Sequence, residues 1–278
     1  MKKTIYQFLK EIQVYDCEFQ KVRIGNESDG GYVALHEVCD KTRTLYSFGV
    51  EDNITFEQDF VRRYPQALVK LFDHTVDGLP SNHPNFAFVK KGIAATPSKN
   101  FVALSSILDE ECTGITLKMD IEWDEWSVLG SLSSDQLKKI DQMLVEFHLV
   151  TVDVDNKFIA NTDPEYRLTP YFDSFYRATY DKVNGALFMT YLNTMKKINE
   201  WFYAFHIHPN NSLKKVKAGG YSFPPLLEIS FVRKDLVKNI RATTCNFPIS
   251  GLDFPNKPYK KEIKNYYPLA QEEKGEKC

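Results

Sequence analysis

From Thr44 onward, short β-rich apolar runs alternate with stretches of helical periodicity. This pattern predicts a doubly wound α/β domain, in which helices cover both faces of a mostly parallel sheet. Seven runs read as strands: Thr44–Phe48, Ala67–Phe72, Phe86–Val89, Ile115–Ile121, Met143–His148, Phe202–Ile207 and Leu226–Val232. Between the first two, residues 54–64 read as a helix, with Thr55 and Gln58 in capping-box spacing and Pro65 as its stop. In the fourth run, Ile115, Leu117, Met119 and Ile121 alternate with Thr116, Lys118, Asp120 and Glu122, which predicts that Asp120 and Glu122 share one face.

Outside this core the pattern changes. Before Thr44 the chain predicts a helix and a hairpin, residues 1–43, with Gly30-Gly31 as the hairpin turn. After the fifth strand, residues 151–199 form an insertion: an aromatic segment from Glu165 to Tyr180, then a helical stretch over residues 186–199. Placed beyond a strand's carboxyl end, it predicts a substrate lid. Residues 246–270 are too aromatic for a free linker and are expected to wrap the domain or meet a second subunit, so a homo-oligomer is a possible state. Residues 271–278 are polar and expected to be disordered. One domain, 1–270, with a core over 44–245, accounts for the whole pattern.

Composition narrows the partners. Thirty-five Lys and Arg face 37 Asp and Glu, a net charge of -2. No field of that kind attracts a phosphate backbone, so nucleic acid is not an expected partner. The five cysteines are scattered without metal-ligand spacing and read as reduced thiols. No run resembles a signal peptide or approaches membrane-spanning length, so the expected location is cytoplasmic, without a membrane partner.

In an open parallel sheet, ligands bind beyond the carboxyl ends of the strands, so the residues there are the candidates. The first strand runs into Gly49, Val50, Glu51 and Asp52, where glycine permits a sharp turn and a close approach. The second ends in Asp73-His74, an acid able to accept both hydrogen bonds of a ribose diol. No GxxxxGK[ST] loop occurs, and acids stand where a pyrophosphate needs bare N–H groups. Nucleoside triphosphates and NAD are therefore disfavoured, and a phosphate-free sulfonium cofactor is tolerated.

The segments Arg23-Ile24-Gly25, Asp29-Gly30-Gly31-Tyr32, Ser47-Phe48-Gly49-Val50 and Phe72-Asp73-His74-Thr75, with the run Lys118-Met119-Asp120-Ile121-Glu122-Trp123-Asp124-Glu125-Trp126, resemble the FkbM-like and related class I methyltransferases. The resemblance implies a Rossmann-like seven-stranded class I methyltransferase fold and S-adenosylmethionine as cofactor. It places residues 49–52 at the methionine part, Asp73 at the ribose and Gly92-Ile93 at the adenine. Asp120 would stand near the amino group or the transferring methyl, and the hairpin carrying Tyr32 would close over the cofactor. The chain departs from the family in carrying Trp123 where glycine is usual, and in lacking a second glycine in the first turn.

Titratable groups crowd the later strand ends: Asp120 and Glu122, then Glu146 and His148, then His206 and His208 with Asn210 and Asn211. Burying so many ionisable groups is costly unless they pair, bind a ligand or face a cleft. Two mechanisms fit. In the preferred one, His148 or His208 is a general base that takes the acceptor's proton beside Asp120. In the other, a divalent metal is held by some of Asp120, Glu146, His148, His206 and His208. Glu122, Glu146, His206, Asn210, Asn211 and Tyr32 are candidate contacts to a small hydroxyl-bearing or glycan acceptor, as in surface-polysaccharide modification. N-methylation, a phosphorylated or protein substrate, and a non-catalytic cofactor-binding scaffold remain alternatives.

Overall fold

A computed structural model of the protein describes residues 1–111, 113–149, 180–213 and 215–264. The strands are β1 (Tyr15–Asp16), β2 (Lys21–Ile24), β3 (Tyr32–Leu35), β4 (Thr44–Phe48), β5 (Leu68–Phe72), β6 (Phe86–Val89), β7 (Gly92–Ala94), β8 (Phe101–Ala103), β9 (Ile115–Met119), β10 (Ile140–His148), β11 (Phe202–Pro209), β12 (Val216–Ala218), β13 (Tyr221–Phe223), β14 (Leu226–Arg233) and β15 (Arg241–Ala242). The helices this account uses are α1 (Lys2–Glu11), α2 (His36–Cys39), α3 (Thr55–Arg63), α4 (Leu104–Glu110), α5 (Glu125–Ser131) and the long helix Tyr180–Trp201.

Seven strands form one sheet in the order β11-β14-β10-β9-β4-β5-β6. β14 runs antiparallel to both neighbours, and the other pairings are parallel. The chain winds from β4 outward through β5 and β6, then returns to β9 and continues outward on the other side. The winding therefore reverses between β4 and β9, where this class of sheet opens a crevice. The fold is a Rossmann-like α/β sheet.

The two faces of the sheet are covered by different pieces. On one, Ile5, Phe8 and Leu9 of α1 pack with Trp126 of α5 and with Phe188, Tyr191 and Met195 of the long helix. The other is covered by the β2–β3 hairpin and by Phe56, Phe60 and Val61 of α3. With both faces buried, all of β9 and β10 is inaccessible, so their polar side chains must be satisfied internally. Gln142 illustrates this: its carbonyl accepts the Leu35 N–H at 3.1 Å.

Several expectations change. The helical end of the proposed lid is a core helix, held to α5 by Thr194 Oγ1 donating to the Trp126 carbonyl at 3.1 Å and by Lys197 Nζ donating to that of Gly130 at 2.7 Å. The aromatic segment from Glu165 lies outside the described residues, as do 265–278. Thr55 does not form a capping box; its hydroxyl and N–H donate instead to Asn53 Oδ1, at 2.7 and 3.3 Å. The hairpin pairs Ile24 with Tyr32, so its loop is residues 25–31 and not a two-residue turn. Arg23 organises that loop by donating to the carbonyls of Asn26 (2.6 Å), Ser28 (2.9 Å) and Leu252 (3.0 Å).

β9 ends at Met119, two residues earlier than its alternation suggests. Beyond it, Glu122 and Trp123 have left-handed φ values of 54° and 86°. Asp120 and Glu122 therefore lie on a turn and do not share a strand face. Trp123 thus holds a left-handed backbone that glycine adopts far more readily.

Candidate functional site

A cleft of about 680 Å³ opens at the carboxyl ends of β4, β5, β9 and β10, at the point where the winding reverses. Its first wall is the turn after β4. Gly49 has φ 71°, and a Cβ there would lie 1.7 Å from the Asp120 carbonyl oxygen, so only glycine lets the ends of β4 and β9 come this close. The Gly49 N–H donates to the Phe72 carbonyl at 3.0 Å.

Asp73 lines the cleft, and its carboxylate is held by donors of the chain itself. Oδ2 accepts the backbone N–H groups of Val50 (3.0 Å) and Glu51 (2.9 Å), while Oδ1 accepts the N–H (2.7 Å) and hydroxyl (2.6 Å) of Thr75. Each oxygen already has two donors, which fills its lone pairs. Burial raises its pKa, but the Thr75 hydroxyl and these N–H groups outweigh that and hold it below the ordinary carboxylate value. Asp73 thus staples the β4 turn to the end of β5. Gly92, Ile93 and His74 line the cleft nearby, with the His74 ring 4.6 Å from that of Phe101. Glu51 lines it as well, whereas Asp52 is exposed and does not.

The floor is built by Asp120, Glu146 and His148, each offering one ligand atom, with these atoms all within 4.8 Å of one another. His148 Nδ1 lies 3.1 Å from Glu125 Oε1; its Nε2 lies 3.1 Å from Glu122 Oε2 and 3.9 Å from Glu146 Oε1. Burial disfavours the imidazolium, yet Glu125 and Glu122 outweigh it and hold the His148 pKa well above the usual value. Both ring nitrogens are thus engaged by carboxylates, Nδ1 by Glu125 and Nε2 by Glu122.

Burial, opposed by His148 and Lys118, pushes Asp120 up to about 7. Burial and then the Asp120 charge raise Glu146 well above its ordinary value, against the pull of His148. Asn210 Nδ2 donates to both Glu146 oxygens, at 3.1 and 3.2 Å, and Tyr32 Oη reaches Asp120 Oδ2 at 3.4 Å.

Three expected site residues are elsewhere. His206 is buried, with Nε2 2.7 Å from Asp253 Oδ1, and packs on Phe247. His208 is buried with Nδ1 3.2 Å from Glu228 Oε2 and Nε2 3.6 Å from Glu262 Oε1, and it does not line the cleft. Asn211 ties down the tail through the carbonyls of Lys257 (3.1 Å) and Lys260 (3.2 Å). All three were read from their place at a strand end, but the tail 246–264 packs against that end and uses their hydrogen bonds.

The sequence reading missed others. Lys118, below the first turn, donates to the Gly49 carbonyl at 3.2 Å and lies 3.8 Å from buried Glu57, which also accepts from the Ser47 hydroxyl. Its position in an alternating strand was the available signal. Trp123 lines the cleft with its ring 4.8 Å from that of His148, and Tyr259 stands at the mouth, 80% exposed. Tyr259 lies in a segment with no periodicity to mark it.

The assembly is a Rossmann-like domain with a strand-end cleft walled by carboxylates. No protein-family model matches the chain, and no curated protein matches it. Among solved structures it is similar to CalO1, a methyltransferase in calicheamicin biosynthesis in its SAH-bound form, at 12% identity and TM-score 0.30, covering 69% of this chain and 49% of that one. It is also similar to an O-methyltransferase family protein from Burkholderia thailandensis, at 12% identity and TM-score 0.28, covering 69% and 52%. A third is the precorrin-6y C5,15-methyltransferase from Geobacter metallireducens, at 7% identity and TM-score 0.31, covering 84% and 89%. The chain spans about half the length of the first two. Among the described residues, no helix is long and apolar enough to cross a membrane.

Proposed function

We propose that the protein is an S-adenosylmethionine-dependent methyltransferase acting on a hydroxyl of a small or sugar-like acceptor. One observation carries this reading: the backbone N–H groups of the first turn are already in use. Gly49 donates to Phe72, and Val50 and Glu51 donate to Asp73. A turn without those N–H groups cannot cradle a pyrophosphate, while a phosphate-free sulfonium cofactor does not require them. The carboxylate lining favours a cationic ligand for the same reason. The resemblance of the segments at Asp29–Tyr32 and Lys118–Trp126 to FkbM-like enzymes supports the same cofactor.

When bound, the cofactor supplies an electrophilic methyl group. The chain's own part is alignment and proton removal. Gly49 lets the first turn approach the Asp120 segment, and the Asp73 staple keeps it there. An acceptor hydroxyl on the floor donates to Asp120 or Glu146 and gives up its proton there as the oxygen attacks. Trp123 and Tyr259 offer aromatic faces to a sugar ring.

Calorimetry with S-adenosylhomocysteine, NAD⁺ and ATP tests the cofactor. Saturable binding of the first, with the other two at least about 100-fold weaker, is expected from the occupied turn. Preference for either nucleotide would overturn the reading.

A further inference from the structure

We infer that Asp120, Glu146 and His148 form a divalent-cation site. Metal chemistry was one of two alternatives suggested by five residues of the sequence. The structure separates these three from His206 and His208, whose side chains are tied to Asp253 and to Glu228 and Glu262.

The group is not a solvated acidic patch. Glu146 and His148 are each 4% exposed, and the three side chains come from the adjacent ends of β9 and β10. Among the described residues no lysine or arginine forms an ion pair with Asp120 or Glu146. Lys118 directs its Nζ to the Gly49 carbonyl and Glu57, and Lys257, which also lines the cleft, pairs with Asp29. Among the described residues, the Glu146 carboxylate meets the Asn210 amide and, at 3.9 Å, His148 Nε2. A buried carboxylate in that position is costly until a cation meets it.

An independent feature lies outside the group. Glu125, fully buried, accepts the Ile121 N–H at 3.1 Å and holds His148 Nδ1 at 3.1 Å. A carboxylate fixing the far nitrogen of an imidazole, with the near nitrogen aimed at further carboxylates, is the outer-sphere arrangement that orients histidine ligands on metals. It fixes Nδ1 as the protonated nitrogen and presents Nε2 to Glu122, Glu146 and Asp120. One imidazole with two or three carboxylates suits Mn²⁺, Fe²⁺, Co²⁺ or Zn²⁺ better than Mg²⁺ or Ca²⁺, which favour all-oxygen sets. In the methyltransferase reading, on which its catalytic use rests, the cation would bind the acceptor oxygen and lower the hydroxyl pKa, and the proton would pass to Glu122, a cleft carboxylate left off the ion, in place of Asp120 or Glu146. Cation binding itself does not depend on that reading.

The test is titration of the chelator-treated full-length protein with Mn²⁺, following free ion by electron paramagnetic resonance. One ion per chain is expected. Glu146→Gln and His148→Gln should each weaken binding at least about 10-fold, and Glu125→Gln about 10- to 100-fold through ring orientation. His208→Gln, away from the cleft, should leave it unchanged, and thermal melts of each variant without metal establish that it is folded. Co²⁺ gives a second readout, because a ligand-field spectrum reports the imidazole nitrogen directly and should change in His148→Gln. The proposal fails if the wild type takes up none of Mn²⁺, Co²⁺ and Zn²⁺, or if folded Glu146→Gln and His148→Gln bind as it does. S-adenosylhomocysteine binding to the same protein separates the two readings: binding without metal uptake refutes the cation site alone, and metal uptake without cofactor binding supports it while refuting the methyltransferase.

Discussion

Replacing Asp73 by alanine removes the acceptor for three backbone N–H groups and one hydroxyl. The losses are unequal. Thr75 and Glu51 are exposed, so water can take over their donors, but Val50 is buried and its N–H is left without a partner. A hydrogen bond to a charged group contributes about 1.5–3 kcal/mol, and a stranded buried donor costs a similar amount. Asp73→Ala should therefore destabilise the protein by about 3 kcal/mol, and Asp73→Asn, which keeps one acceptor oxygen, by roughly half of that.

The pH dependence follows from the lowered pKa of Asp73. A carboxylate whose folded pKa lies below its unfolded value of about 3.9 stabilises the fold above that value and ceases to do so as pH falls through the folded one. The difference between wild type and Asp73→Ala should accordingly be full at pH 7 and shrink on acidification. Urea unfolding at several pH values measures it, and hydrogen exchange at the Val50 and Glu51 amides locates it, with faster exchange expected in the variant. A ribose ligand would behave otherwise: apo stability and exchange would be unchanged in Asp73→Ala, and only cofactor affinity would fall. That result would refute the staple.

His208→Gln should leave S-adenosylhomocysteine binding intact while altering stability against pH. Burial opposes its charge, but Glu228 and Glu262 raise the pKa to about 10, so its contribution is full below about 6.5 and lost as pH rises through about 10; urea titrations from pH 6 to 10 should show a flatter profile in the variant. Gly49→Ala should fail to fold solubly or should lower the melting temperature by more than about 10 °C, because its methyl would meet the Asp120 carbonyl; a wild-type melting curve would contradict the close approach. At position 123, with φ 86°, glycine should be about 1 kcal/mol more stable than alanine, although both lose the indole. Urea midpoints give that order, and alanine matching glycine would show that the left-handed backbone is not maintained.

The sheet was legible because its strands are short, buried and separated by helices. The first and third predicted runs, Thr44–Phe48 and Phe86–Val89, coincide with β4 and β6. β10 begins three residues before its predicted start because Asp141 and Gln142 disguise it, their polarity satisfied by Arg233 and the Leu35 N–H. In the site, Asp120, Glu146 and His148 could be recognised because strand ends at a winding reversal face a crevice. What their protons do could not be read, since it depends on Glu125, one helical turn beyond Ile121. His206 and His208 were misplaced for a longer-range reason: Asp253 and Glu262, which pair with them, lie in a tail without periodicity. Asp73 looked like a ligand because its own segment shows only Thr75 as a donor, while the Val50 and Glu51 N–H groups that fill its other oxygen lie more than twenty residues upstream.

The reversed direction of β14 makes one edge of the sheet modular. Six strands deliver their final residues to the ligand side, whereas β14 delivers its first, so Leu226 and Glu228 arrive there as the chain enters the strand. Between β11 and β14 the chain needs only to turn around, and it does so through the β12–β13 hairpin, which packs on α1 and the long helix through Tyr221 and Phe223. Because the turn joins antiparallel neighbours, its length can change without shifting any parallel register or disturbing the Gly49–Asp73 staple. That edge of the sheet can thus change while the half around β4, β5 and β9 is kept.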